Sequence, residues 1–243
     1  MKPSLLYFFA FAFLLTGQPV HAQQWEPTNG PHGGGYAVFQ NDAYVFASSA
    51  NGIYRTTDGG LNWEKASSGL PEHLSTHLIS VVGEHLLALQ ASQNYLLVPL
   101  IYISHDNGDS WTEVPLPTPA TQLGYIAFDG QTITAQCSTN TNNTTFQTSD
   151  EGLNWNMITL PNGSNSFQPW IGASGDLMAT NEDGLFLSKD NGLTWSNMPI
   201  PNTQPERIAQ VQVIDSSIII IPSYTAAQYT YVSYNYGTTW DIM

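Results

Sequence analysis

A chain of 243 residues with 19 acidic against 5 basic side chains, for a formal net charge of −14, repels phosphate backbones and anionic lipid surfaces, which excludes nucleic-acid binding and electrostatic membrane attachment. Charged residues make up only 10% of the chain while Asn, Thr, Ser and Gln abound, a composition that suits a β-rich exported protein better than a helical one. The single cysteine, Cys137, rules out an intrachain disulfide, and a chain of this length can bury a sufficient core without one.

Residues 1–22, "MKPSLLYFFAFAFLLTGQPVHA", open with Lys2 and continue in an apolar run from Leu5 to Leu15. That run is too short to span a bilayer as a helix and has no polar face, so it reads as the core of a signal peptide. Val20-His21-Ala22 supplies the small residues of a cleavage site, and the expected mature chain starts at Gln23, is secreted or periplasmic, and carries no membrane span. No cysteine stands at the cleavage site, which argues against a lipid anchor. Residues 23–243 are expected to form a single domain.

The organising feature of that domain is a phrase repeated five times: "TTDGGLNW" at 56–63, "SHDNGDSW" at 104–111, "TSDEGLNW" at 148–155, "SKDNGLTW" at 188–195 and "SYNYGTTW" at 233–240. The tryptophans Trp63, Trp111, Trp155, Trp195 and Trp240 recur at a period in the forties, with short β-prone runs between them and no helical pattern. Such a period predicts a four-stranded unit repeated radially or in an array. In the fourth unit "FQPWIG", "DLMAT", "GLFLSKD" and "TWSNMPI" read as the four strands, and "IAQVQVI", "SIIIIPS", "TYVSYN" and "TTWDIM" repeat the scheme in the fifth. No helix is predicted in the mature chain.

Each phrase falls between the third and fourth strands of its unit and reads as a tight connection. Asp58, Asp106, Asp150 and Asp190 can accept bonds from nearby backbone N–H groups, and Asn235 offers a carbonyl in the fifth copy. Gly60, Gly108, Gly152, Gly192 and Gly237 supply the positive φ that such a turn needs. The Ser or Thr two positions before the Asp adds a hydroxyl, and the Trp packs between neighbouring units.

The phrase resembles the Asp-box, or BNR repeat, of β-propellers found in sialidases, sortilin-type receptors, some xyloglucanases and photosystem II assembly factors. "QWEPTNGPHGGG" is similar to the opening of secreted bacterial BNR-repeat proteins. The resemblance implies an all-β propeller of about five four-stranded antiparallel blades, with the boxes structural and away from any active site. Trp25 begins a segment like an extra fourth strand, while the chain also has one at "WDIM". Either that segment packs elsewhere or the chain is a partial ring, in which case an exposed sheet edge invites self-association.

Sialidases of this fold grip their substrate with three arginines. This chain has two, Arg55 and Arg207, which excludes that activity. No nucleophile elbow and no phosphate-binding glycine loop occurs. A glycosidase needs two facing carboxyl groups, and the adjacent Glu182 and Asp183 are the nearest candidates, with solvated turn residues the plainer reading. His73, His77 and His85 bind metal at that spacing only from a helix, which the β-type runs argue against. No catalytic residue, metal or cofactor is therefore expected.

Blade topology places the strand 2–3 loops and the inter-blade linkers opposite the boxes, and these are the longer and more varied loops. Asn94, Tyr95, Asn140, Asn142, Arg207, Tyr224 and Gln228 are the expected ligand-face residues, suited to a carbohydrate or peptide by paired amide groups, aromatic surface and one cation. The sequence thus points to an exported, non-catalytic propeller binding a protein or glycan. A polysaccharide hydrolase other than a sialidase, and an assembly factor like the photosystem-associated propellers, are the alternatives.

Overall fold

The computed structural model describes residues 30–31, 35–72, 76–90, 100–139, 142–164, 167–171, 176–181, 183–200, 208–214, 216–222 and 230–243. The expected signal peptide and Trp25 lie outside these residues. Within them the regular structure consists of twenty strands in five four-stranded antiparallel sheets, with no helix. This is an all-β propeller of five blades.

Blade 1 comprises β1 (Gly35–Gln40), β2 (Val45–Ser49), β3 (Gly52–Thr56) and β4 (Glu64–Lys65), and blade 2 comprises β5 (Thr76–Val82), β6 (His85–Gln90), β7 (Leu100–Ser104) and β8 (Thr112–Val114). Blade 3 follows with β9 (Gln122–Phe128), β10 (Ile133–Ser138), β11 (Asn143–Thr148) and β12 (Asn156–Ile158). Blade 4 has β13 (Gln168–Ile171), β14 (Leu177–Asn181), β15 (Gly184–Ser188) and β16 (Ser196–Met198), and blade 5 has β17 (Ile208–Ile214), β18 (Ser217–Pro222), β19 (Tyr231–Ser233) and β20 (Asp241–Ile242). Strands pair in sequence order within every blade. First strands of neighbouring blades lie against one another, β1 on β5, β9 on β13 and β13 on β17, so they form the inside of the array.

The middle strands of blades 2 to 4 are apolar on both faces because each of these blades is packed on both sides. The second strand of blade 2, "HLLALQ", shows the consequence. Leu86 and Ala88 face blade 1 in a core with Phe46, Ile53, Ala66 and Tyr102, while Leu87 faces blade 3 in a core with Ile101, Ile103, Phe128 and Ile133. Burial of a Leu or Ile side chain contributes about 1.5–3 kcal/mol, so these inter-blade seams hold the array together. Two further seams join blade 3 to blade 4 around Phe167 and Leu177, and blade 4 to blade 5 around Met178, Leu185 and Ile218.

Among the described residues no such core joins blade 5 to blade 1. On the sides of these two blades that face away from their neighbours, Val38 is 69% and Ile221 43% exposed. The fourth strands are only two or three residues long, a length that blunts the outer edge of each sheet.

Candidate functional site

The pairing order gives the array two faces. On one lie the β3–β4 connection of each blade and its equivalents, together with the hairpins joining first to second strands. On the other lie the second-to-third-strand loops and the inter-blade linkers.

On the first face the repeated phrase closes the same local network in every blade. In blade 1 the Thr56 hydroxyl donates to Asp58 Oδ1 (2.7 Å) and accepts from the Gly60 N–H (3.2 Å). Asp58 then accepts from the Asn62 N–H (2.9 Å) and, through Oδ2, from its amide nitrogen (2.8 Å). Ser104, Asp106 and Ser110 repeat these bonds in blade 2, Thr148, Asp150 and Asn154 in blade 3, and Ser188, Asp190 and Thr194 in blade 4. In blade 5 Asn235 Oδ1 accepts from Ser233 and from the Thr239 N–H, but its amide nitrogen donates to the Thr239 hydroxyl. One bond of the network is therefore reversed.

These bonds stabilise the ionised carboxylates. The Asn62 N–H and side chain, with the Thr56 hydroxyl, hold Asp58 down to about 2. Asp150 and Asp190 are lowered by side-chain and backbone donors of Asn154 and Thr194. Partial burial raises Asp106, and the donors of Ser110 and Ser104 outweigh it, so that it too is lowered. A carboxylate stabilised as an anion and saturated with donors is a poor general acid or base.

In blades 2 to 5 the glycine of the phrase sits against the preceding blade. A Cβ on Gly152 would lie 2.6 Å from the Pro115 carbonyl oxygen, and one on Gly108 or Gly192 would touch Ala66 or Ile158. The tryptophans divide by partner. Trp111 and Trp155 donate from Nε1 to the Ala66 and Pro115 carbonyls of the preceding blade. Trp63 and Trp195 donate instead to the Gly60 and Gly192 carbonyls of their own turn.

On the opposite face, Asn94, Tyr95, Asn140, Arg207, Tyr224 and Gln228 lie outside the described residues. Asn142 is described and exposed, with its carbonyl accepting from the Thr139 N–H and hydroxyl (both 2.8 Å) in the β10–β11 turn. Glu182 also lies outside, whereas Asp183 accepts a bond from the Asn162 amide. His73 lies outside, and His77 stands on β5 rather than on a helix.

What the structure does assemble on this face is a polar cleft of about 440 Å³ between blades 1 and 2, lined by Asn51, Lys65, Ser67, Ser68 and Glu72 among others. Its walls are fixed from the backbone outward. The Ser67 hydroxyl accepts from the Ile53 N–H and donates to the Ile53 carbonyl, each at 2.9 Å. Gly69, at φ +91°, brings the linker so close to blade 2 that a Cβ would meet the Trp111 carbonyl at 2.6 Å. The Lys65 stem packs over Gly52, bringing one of the chain's three lysines to the cleft.

Among the described residues, four buried side-chain atoms without a hydrogen-bond partner lie toward this end of the blades, Ser48 Oγ, Gln90 Nε2, Gln168 Oε1 and Asn181 Nδ2, and a fifth, Trp240 Nε1, lies at the aspartate-turn end. Ser48, Gln90 and Asn181 occupy the last or next-to-last position of a second strand, and Gln168 opens a first strand. Strand alternation directs Ser48 and Gln90 into the seam between blades 1 and 2. A buried polar atom left unpaired costs about 1–3 kcal/mol. Sequence reasoning missed all four, because nothing in a strand-end Gln or Ser tells whether its neighbours will satisfy it. Among the described residues no group of three His, Cys, Asp or Glu side chains is arranged to hold a metal, and no helix is long and apolar enough to cross a membrane.

No protein-family model and no curated protein matches the chain. Solved structures do. The fold is similar to that of YCF48 bound to a D1 peptide, with a TM-score of 0.53 and 15% identity, covering 84% of this chain and 66% of that one. It is also similar to an ancestral GH74 enzyme (TM-score 0.52, 15% identity, 90% of this chain and 32% of that one). A TolB-like protein from Agrobacterium tumefaciens gives a TM-score of 0.54 at 10% identity, over 82% and 76% of the two chains. The chain thus spans just under two thirds of the first and about a third of the second. At such identities the likeness is one of fold, and these relatives are β-propellers.

Proposed function

We propose that this chain is a binding propeller that takes up an extended segment of another protein in the cleft between blades 1 and 2. The observation that carries the reading is the cleft itself, a backbone-braced polar groove that presents Lys65, Ser68 and Asn51. A peptide backbone offers both donors and acceptors along its length and meets such a groove without side-chain chemistry of its own. A propeller of similar fold holding a peptide supports this use of the architecture. Lys65 favours a segment carrying Asp or Glu, since it stands out from an otherwise acidic surface. The signal-like residues 1–22 support a site of action outside the cytoplasm, and the aspartate turns of the other face serve as structural fasteners in this reading.

The test is selection from a random peptide display library, with a glycan array run in parallel. Enriched peptides are expected to be acidic and to lose at least tenfold in affinity with Lys65→Glu, in a variant whose circular dichroism is unchanged. Enrichment of glycans without peptides, or peptide binding indifferent to Lys65→Glu, would overturn the reading.

A further inference from the structure

On the opposite face of the array, at the boundary of blades 2 and 3, two histidines and a glutamate form a chain. His85 opens β6 and His105 follows β7, and the pairing of Leu86 with Ser104 makes them the next cross-strand pair. Their Nδ1 atoms lie 2.8 Å apart, with the rings edge to face at 5.0 Å between centroids. The far nitrogen of His105, Nε2, is 3.0 Å from Glu151 Oε1. Glu151 comes from the aspartate turn of the next blade and adopts φ +56°. The equivalent positions hold Gly59, Asn107, Asn191 and Tyr236, all likewise at positive φ. A left-handed conformation at a residue other than Gly or Asn costs about 1 kcal/mol or more, and here it places a carboxylate on an imidazole.

From this geometry we infer that His85 and His105 form a binding site for a divalent transition-metal ion of the zinc, nickel or copper class. The carboxylate fixes the tautomer. Glu151 accepts the Nε2 proton of His105, which leaves the lone pair of His105 Nδ1 directed at His85. His85 meets it by donating its own Nδ1 proton. When a metal replaces that shared proton, His85 carries its proton on Nε2 instead, no net proton leaves the neutral pair, and both Nδ1 lone pairs converge on the ion. Two nitrogens at 2.0–2.1 Å from a tetrahedral centre stand about 3.3 Å apart, so the rings need to separate by about 0.5 Å, within reach of half-exposed side chains.

Glu151, His105 and the ion then form the carboxylate–histidine–metal arrangement that orients imidazole ligands generally. Gly130 lies beside the His85 ring, where even an added Cβ would stay 3.9 Å from Cδ2. A cleft of about 430 Å³ opens on the blade 1 side of His85, and its lining includes Asp42 and Glu84, which make the approach to His85 negative for a cation. Imidazole ligands suit zinc, nickel and copper, whereas magnesium and calcium require oxygen donors.

The experiment is titration of the untagged full chain with Zn²⁺ and with Cu²⁺ in a non-chelating buffer, read by calorimetry, with electron paramagnetic resonance on the copper form. One equivalent is expected to bind, and the copper spectrum should show coupling to two nitrogens. His85→Gln and His105→Gln should each weaken binding at least tenfold and reduce that coupling to one nitrogen. Glu151→Gln should keep both nitrogens but weaken binding about tenfold. The inference fails if the wild-type chain shows no one-equivalent site. It also fails if stoichiometry and affinity survive both histidine substitutions, which would place the ion on another of the six histidines, or if Glu151→Gln binds like wild type.

Discussion

Replacing Gly152 by alanine tests whether the repeated phrase is a fastener between blades or only a turn. Three costs apply to an alanine here, where φ is +83°. The left-handed conformation itself costs about 1 kcal/mol relative to glycine. The second is specific to the neighbour, because the new methyl would stand 2.6 Å from the Pro115 oxygen and 2.9 Å from Val114 Cγ1. Backbone cannot rotate away as a side chain can, and overpacking of this kind costs about 1–3 kcal/mol. Displacing Pro115 also disturbs its carbonyl bond with Trp155 Nε1, now 2.8 Å, for about 1 kcal/mol more. The sum is about 4 kcal/mol.

Gly59 provides the control, since it belongs to the same kind of turn at φ +71° but a Cβ there meets nothing within 4 Å. Gly59→Ala should cost only the conformational part, about 1 kcal/mol. Urea unfolding followed by circular dichroism and tryptophan fluorescence measures both, with the shift in midpoint compared at equal slope. If the two variants differ by less than about 1 kcal/mol, the inter-blade contact is not what requires glycine, and the fastening argument falls. Gly237→Ala refines the test, because its obstacle is the flexible Met198 side chain and its cost should fall between the other two.

Asn235→Asp converts the fifth turn to the form of the other four and lets the Thr239 hydroxyl donate rather than accept. The folded-state carboxylate should be depressed as Asp58 is, from the ordinary 3.8 to about 2. Its stabilisation is then present above the unfolded value and lost as pH falls through the folded one. The variant should melt above wild type at pH 7 and lose the advantage between about pH 4 and pH 2, as thermal unfolding across that range would reveal. Cys137 is buried, and burial pushes its thiol up to about 11. Ellman's reagent at pH 8 should therefore leave the folded chain unmodified and react with one equivalent once urea unfolds it; prompt reaction in buffer would show that the seam around β10 opens on its own.

How far these features could be read beforehand depends on how local they are. Every bond of the aspartate turn joins residues two to four apart, as from Thr56 to Asp58 and from Asn62 back to Asp58. Their spacing therefore appears directly in the sequence, and so does the glycine that must take positive φ. Strand runs such as "GLFLSKD" against β15 were equally plain, since period and burial agree over a few residues. The cleft was only half legible. The linker "SSGLPEHLST" marked one of its loops, but Lys65 became a cleft residue only because its stem lies over Gly52.

By itself, then, the order of residues determined the blades, their number and the turn that ends each third strand, because hydrogen bonding and burial inside a blade are set by neighbours in the chain. It could not determine what one blade presents to the next. Trp155 bonds to a carbonyl 40 positions away and Trp195 to one three positions away, although both tryptophans end the same phrase. His85 meets His105 across 20 positions and Glu151 joins them across 46 more. Those pairings depend on how twisted sheets stack side by side, a property of the packed array that no spacing within one repeat encodes.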